Sequence, residues 1–237
     1  MAISLIGTPQ AGTNLNAGSV SMTFDVAPQE GDVTILYGGF AYQTGQTTPA
    51  GPTDLSPGYT QIVSSSGVAG GAPEFGVWYK VQGSTPDTFV VGRGSQFTSH
   101  ATTYGSFVLR GVNTNNIFDG TIASSSGATG APNGGSVTTS FNNSWVIVFA
   151  GSDVNDTARG SITGWNILTG ASGNDTTGDM SVEAAYSASV NPTTADPGAW
   201  SAWANSDWVT YTIGFREYVA PTAKPVFIQW LGSNEDY

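Results

Sequence analysis

Apolar and polar residues alternate with a period of two along most of this chain. Ser19-Val20-Ser21-Met22-Thr23-Phe24-Asp25-Val26 alternates strictly, as a strand with one buried face should. Pro28-Gln29-Glu30-Gly31-Asp32 reads as a turn, and residues 32–40 then read as a strand buried on both faces. Segment 43–58 is rich in Pro, Gly and Thr and reads as a long surface loop. Residues 74–82 form a strand, 83–87 its turn, and 88–92 an antiparallel return. Residues 104–110 form a further strand closed by Gly111. The Ser/Gly-rich run 124–135 reads as a loop. A buried strand at 145–151, a polar loop at 153–159, an alternating strand at 180–190, a loop at 191–198 and a strand at 208–215 follow. No segment sustains a period of 3.6. About eight to twelve short strands predict an all-β fold, an antiparallel β-sandwich of jelly-roll type.

The pattern contains an echo. Gly31-Asp32-Val33-Thr34-Ile35-Leu36-Tyr37-Gly38-Gly39 is matched by Asn143-Ser144-Trp145-Val146-Ile147-Val148-Phe149-Ala150-Gly151. Each is followed by a Gly-aromatic turn, Pro57-Gly58-Tyr59-Thr60 and Thr163-Gly164-Trp165-Asn166. The strand at 180–190 then corresponds to that at 74–82. The reading is one sandwich domain over 1–218, built of two similar halves at about 19–123 and 136–218. Duplication explains the echo, and so does the ordinary likeness of two antiparallel sheets.

After Glu217 the character changes. Pro221 and Pro225 remove ladder donors, so 218–225 cannot be a central strand. Val226, Phe227, Ile228, Trp230 and Leu231 then make an apolar hexamer interrupted only by Gln229. Exposed, it would be an aggregation hazard. Residues 219–237 are therefore expected to be an edge strand or a docking arm that adds to a neighbouring subunit.

Composition narrows the function classes. Charged residues are 10% of the chain, against about 25% in an average globular protein. Hydroxyls and amides must wet the surface instead, while 39% hydrophobic content is enough for a packed core. The net charge is −11, with six scattered cations. No basic face for nucleic acid or for an anionic membrane surface can be assembled from them. No run approaches the roughly 18 apolar residues of a spanning helix. The chain has no Cys, which removes disulfides and thiolate metal sites. Its first residues lack a positive n-region, so the expectation is synthesis in the cytoplasm without a signal peptide.

The candidate chemistry is thin. His100 is the single histidine and sits in a polar, turn-like stretch with no nucleophile-elbow glycines, so a Ser–His–Asp triad gains no support. Glu74 and Glu183 fall at matching points of the two halves and could be paired hydrolytic carboxylates, or simply solvent-facing strand positions. Asp153-Val154-Asn155-Asp156 and Asn174-Asp175-Thr176-Thr177-Gly178-Asp179 alternate oxygen ligands as a calcium loop does, although turn formation is the commoner reason for such residues. Trp200 and Trp203 are candidate glycan contacts if one or both are exposed. No catalytic residue, metal ligand or cofactor is assigned.

Several segments, taken in order, resemble one family. Gly31-Asp32-Val33-Thr34-Ile35-Leu36 leads to Pro57-Gly58-Tyr59-Thr60, then to Val77-Trp78-Tyr79-Lys80-Val81 and Thr85-Pro86-Asp87-Thr88-Phe89. Phe107-Val108-Leu109-Arg110-Gly111-Val112-Asn113 and Ile117-Phe118-Asp119 close the series. The order is similar to β-sandwich modules in virion proteins of tailed bacteriophages, of the capsid-decoration, tail-fibre and tail-tip types, over most of residues 19–216. The more usual turn there is Pro-Gly-Trp-Thr. The resemblance implies a non-enzymatic structural protein of the virion. Its partners would be other capsid or tail subunits and copies of itself, a trimer being one form. A carbohydrate-binding adhesin is the alternative expectation, and a polysaccharide hydrolase a more distant one.

Overall fold

The computed structural model describes residues 1–15, 19–40, 56–65, 73–93, 101–174 and 178–220. Among these residues all regular structure is β. The first part of the chain gives β1 (Ser4–Asn14), β2 (Ser19–Thr23), β3 (Val33–Phe40), β4 (Thr60–Ser65), β5 (Glu74–Val81), β6 (Phe89–Arg93) and β7 (Thr102–Arg110). The second gives β8 (Ala123–Gly127), β9 (Asn133–Gly134), β10 (Val137–Thr138), β11 (Ser144–Ser152), β12 (Asn166–Gly173), β13 (Met180–Val190), β14 (Thr194–Ala195), β15 (Gly198–Ala199) and β16 (Trp208–Phe215).

Two five-stranded sheets carry the fold, in the orders β1-β7-β3-β5-β4 and β8-β16-β11-β13-β12, with every pair antiparallel. The orders are the same when β1 is matched to β8, β7 to β16, β3 to β11, β5 to β13 and β4 to β12. The ribbons obey the same correspondence, since β2 pairs with β6 and β10 with β14. A chance likeness of strand composition does not give the same five-strand order and the same ribbon twice. The chain is two equivalent units, spanning Ser4–Arg110 and Ala123–Phe215. The antiparallel sandwich is as the sequence predicts; the jelly-roll winding is not part of what these pairings display.

Two edge strands escape the sequence pattern. β1 opens the first unit ahead of residue 19, and β8 overlaps the start of the run 124–135, where the sequence predicts a loop. Both are rich in Ser, Thr and Gly, and β8 shows no buried position. An edge strand half in solvent needs little apolar patterning, so its pairing is set by its neighbour rather than by its own residues.

The main core lies between the sheets. β3 contributes Val33, Ile35 and Tyr37, β11 contributes Trp145, Ile147 and Phe149, and the flanking strands add Phe75, Phe107, Val182 and Ile213. The opposite faces are also covered. Leu36, Trp78, Tyr104 and Val108 pack under the β2–β6 ribbon with Val20, Met22 and Val90. Val148, Ala150 and Ala185 pack under Ile162, Trp200 and Trp203. The result is four layers, with the two five-stranded sheets innermost. This is why β3 and β11 are buried along their whole length.

Tyr37 sits where the units meet. Its ring centroid lies 5.3 Å from that of Phe149 and 6.2 Å from that of Phe107. Its hydroxyl donates to the Thr169 carbonyl of the other sheet at 2.7 Å. Gly105, directly across the ladder in β7, makes the room, because a Cβ there would stand 2.3 Å from the ring. The equivalent pair in the second unit is Phe149 opposite Tyr211. Gly105→Ala should therefore overpack the interface and lower stability by about 1–3 kcal/mol, read as a drop of several degrees in Tm. Gly83→Ala, where a Cβ meets nothing within 4 Å, should leave Tm nearly unchanged in the same thermal melt.

Candidate functional site

Both candidate carboxylates are buried, and neither is a solvent-facing strand position. Glu74 is 0% exposed and Glu183 5%. They do not occupy matching points either. Tyr37 faces Val77 across the ladder and the equivalent Phe149 faces Ala184, so the residue equivalent to Glu183 is Gly76, and the one equivalent to Glu74 is Ser181. The echo in the sequence is right about the strands and two residues off for the glutamates. Both side chains share the outer parity of their strands, opposite to Phe75 and Val77 on β5 and to Val182 and Ala184 on β13. They therefore lie on opposite outer faces of two stacked sheets, which are themselves ~10 Å apart. The structure does not bring them together as a hydrolytic pair, which needs its carboxyls within about 5–9.5 Å.

Glu183 belongs to a polar network that clamps two loops onto the second sheet. Its Oε1 lies 3.8 Å from Arg159 Nε, an ion pair too long to be a hydrogen bond. Arg159 Nη1 donates to the Asp156 carbonyl at 2.7 Å. The Asp156 carboxylate accepts the backbone N–H of Ala158 at 2.8 Å and that of Ala204. Ser181 Oγ donates to the Val154 carbonyl at 2.6 Å and accepts the Asp156 N–H at 2.8 Å. Asp156 thereby ties residues 153–159 to 200–204. Among the described residues no three His, Cys, Asp or Glu side chains are grouped to hold a metal. Asp175 of the second candidate calcium loop lies outside the described residues, as does His100.

Trp200 and Trp203 do not present sugar-binding faces. They are 2% and 6% exposed and pack edge to face, with centroids 5.5 Å apart. Trp203 Nε1 donates to Ser152 Oγ at 2.7 Å. Residues 200–203 follow β15 as a bend rather than a strand, so a spacing of three does not put the indoles on opposite sides. Their place is explained by the duplication. In the first unit Trp78 folds its ring over Gly76. The second unit has Ala185 and Glu183 at those positions, and Trp200 fills the space from the loop.

Burial governs the acids. It pushes Glu74 up to about 7. It also pushes Glu183 up to about 7; Arg159 and the nearby Trp200 indole oppose the shift, and Asp156 adds to it. Asp153, half-buried, rises to about 7 through burial and then the charges of Asp207 and Asp179. A folded-state pKa above the unfolded value means the native state binds more protons. The stability this gives is complete below the ordinary carboxylate range and is lost as pH rises through about 7. Tm should therefore rise as pH falls from 8 to 5. Glu183→Gln, which mimics the protonated acid, should raise Tm at pH 8 and bring no gain at pH 5. Scanning calorimetry across that range checks the sign.

At the opposite end of the first sheet lies a cleft of ≈ 520 Å³, lined in part by Met1, Glu30, Arg110, Val112, Tyr218 and Ala220. Its floor is a clamp. Arg110 Nε and Nη2 donate to the two Asp32 carboxylate oxygens, each at 2.8 Å. Asp32 also accepts the Gln29 N–H at 2.7 Å, and Gly31 takes a φ of 84° to close that turn. The described residues end here, at Ala220. Tyr218 N–H donates to the Gly111 carbonyl at 2.7 Å, and the Met1 nitrogen donates to the Tyr218 carbonyl at 2.8 Å. The Gly-Asp and Arg-Gly pairs stand 78 residues apart, and only the ladder through β3 and β7 joins them. In the second unit Ser144 replaces the aspartate, and the equivalent Arg216 lies 3.4 Å over the Phe141 ring instead.

Val226, Phe227, Ile228, Trp230 and Leu231 lie outside the described residues. Comparison of the chain with protein-family models, with curated proteins and with solved structures finds no match.

Proposed function

We propose that this protein is a non-enzymatic structural component of a tailed-bacteriophage particle, a capsid-decoration or tail component held by contacts with other virion proteins and with copies of itself. One observation carries the reading most: the duplicated unit is spent on scaffold. Each copy contributes one of two stacked sheets, and the polar clusters that the copies do not share tie down turns and loops. Asp119 shows this, accepting the N–H groups of Ser140 and Phe141 and the Ser144 hydroxyl. The likeness of residues 19–216 to virion sandwich modules and the weakly charged surface support the same reading.

Glycan recognition loses its named residues, since both indoles are inside the protein. Hydrolysis loses its carboxylate pair, for the reason of the two opposed faces.

A copy labelled at exposed Thr157 should appear at regular positions on purified, intact particles under electron microscopy. Particles that carry no label while the free protein does would overturn the proposal. Removing residues 220–237 should leave the β circular-dichroism spectrum intact and abolish incorporation into particles.

A further inference from the structure

The cleft beside Ala220 is a surface feature of the described residues that the fold does not use. Its walls combine the apolar Val112, Tyr218 and Ala220 with glycine backbone from the turn at Gly31 and from Gly111. Tyr218 is 39% exposed and the neighbouring Val219 71%, so apolar surface continues beyond the cleft mouth. The charges inside are nearly balanced, because Asp32 and Arg110 neutralise each other at 2.8 Å. The Met1 ammonium, which also lines the cleft, pairs with Glu217 at 3.9 Å, which leaves Glu30 with no ion pair among the described residues. An occupant should therefore be apolar and uncharged along its length, with a cation at one end.

The chain contains such a segment. Val226, Phe227, Ile228, Trp230 and Leu231 are apolar, Gln229 is neutral, and Lys224 stands two residues ahead of them. The segment begins six residues after Ala220, which itself lines the cleft. We propose that the cleft of one copy receives the 226–231 segment of a second copy, with Lys224 of the incoming chain facing Glu30. This rests on the reading of a self-associating particle component and names the surface through which it associates.

A second copy is favoured over the same chain by the linker. Residues 221–225 span at most ~18 Å when extended. Pro221 and Pro225 bias that stretch toward extension, and it holds no Gly, Asn or Asp to reverse direction. A linker of that composition favours a cleft on another copy over the cleft beside which it starts. The exchange is head to tail, so repeated rotation closes a ring if the angle permits, or extends along a filament if it does not.

The absence of cysteine makes the test clean. Two variants of the full chain, Thr114→Cys at the exposed cleft rim and Gln229→Cys in the segment, carry different affinity tags and are mixed and oxidised. The expected product is a covalent heterodimer of the two tags, in clear excess over either homodimer. Adding Phe227→Glu and Trp230→Glu to the Gln229→Cys chain should cut its yield at least tenfold. No heterodimer, or a disulfide formed only within one chain when both cysteines are on it, overturns the proposal. Labelled particles would still report on the structural role, so failure of the cleft and failure of the particle reading give different results.

Discussion

The apolar contact between the two inner sheet faces is what everything else in this molecule rests on. A five-stranded antiparallel sheet with apolar residues on both faces has no stable existence alone, because each face must be removed from water. Here the partner for the inner face is a copy of the same unit. Tyr37, Phe107 and Phe149 meet in the middle, with Phe107 and Phe149 nearly parallel at 6.2 Å. The outer faces need separate covers, and each unit provides its own from the segments between its sheet strands. Duplication thus solves the burial problem for one face of each copy and leaves the other to be solved twice, independently.

That independence shows in where the copies differ. Near the inner interface the changes are reciprocal: Tyr37 with Gly105 in one unit answers Phe149 with Tyr211 in the other, and the space is filled both times. On the outer faces no such reciprocity is required. One unit closes over Gly76 with Trp78 from within the same strand. The other brings Trp200 from a loop and then needs Asp156, Arg159 and Glu183 to hold that loop in place. Burying Glu183 beside a guanidinium 3.8 Å away does not fully offset its loss of solvation, which is why its proton affinity rises.

The same logic separates the two ends of the sandwich. The end bearing the Asp32–Arg110 clamp is also where Glu217 bridges Val112 and Tyr218 is bonded to Gly111. In the second unit the equivalent arginine has no carboxylate opposite and covers Phe141 instead. The Asp32–Arg110 clamp that floors the cleft therefore belongs to one unit only. An assembly joined through it is necessarily directional.

The sequence by itself determined that the chain is all-β, that residues 32–40 and 145–151 are buried strands, and that the stretch around residues 31–39 returns at 143–151; that β7 and β16 are buried as fully was not written in their own pattern. The first three are properties of local periodicity, and a run such as Ile35-Leu36-Tyr37 or Val146-Ile147-Val148 has no other comfortable solution. It also held the halves of the Asp32–Arg110 clamp in plain view. Only the tertiary structure decided what lies across each face. Alternation says that Glu74 and Glu183 share a parity, but not that the parity points into a second, outer core. A spacing of three between Trp200 and Trp203 fixes their directions in a strand and says nothing once they sit on a bend. The edge strands β1 and β8 owe their existence to open ladder positions on β7 and β16, which their own Ser- and Gly-rich residues cannot announce. Period two encodes the side of a sheet on which a residue falls; the neighbour waiting on that side is set by contacts between residues far apart in the chain.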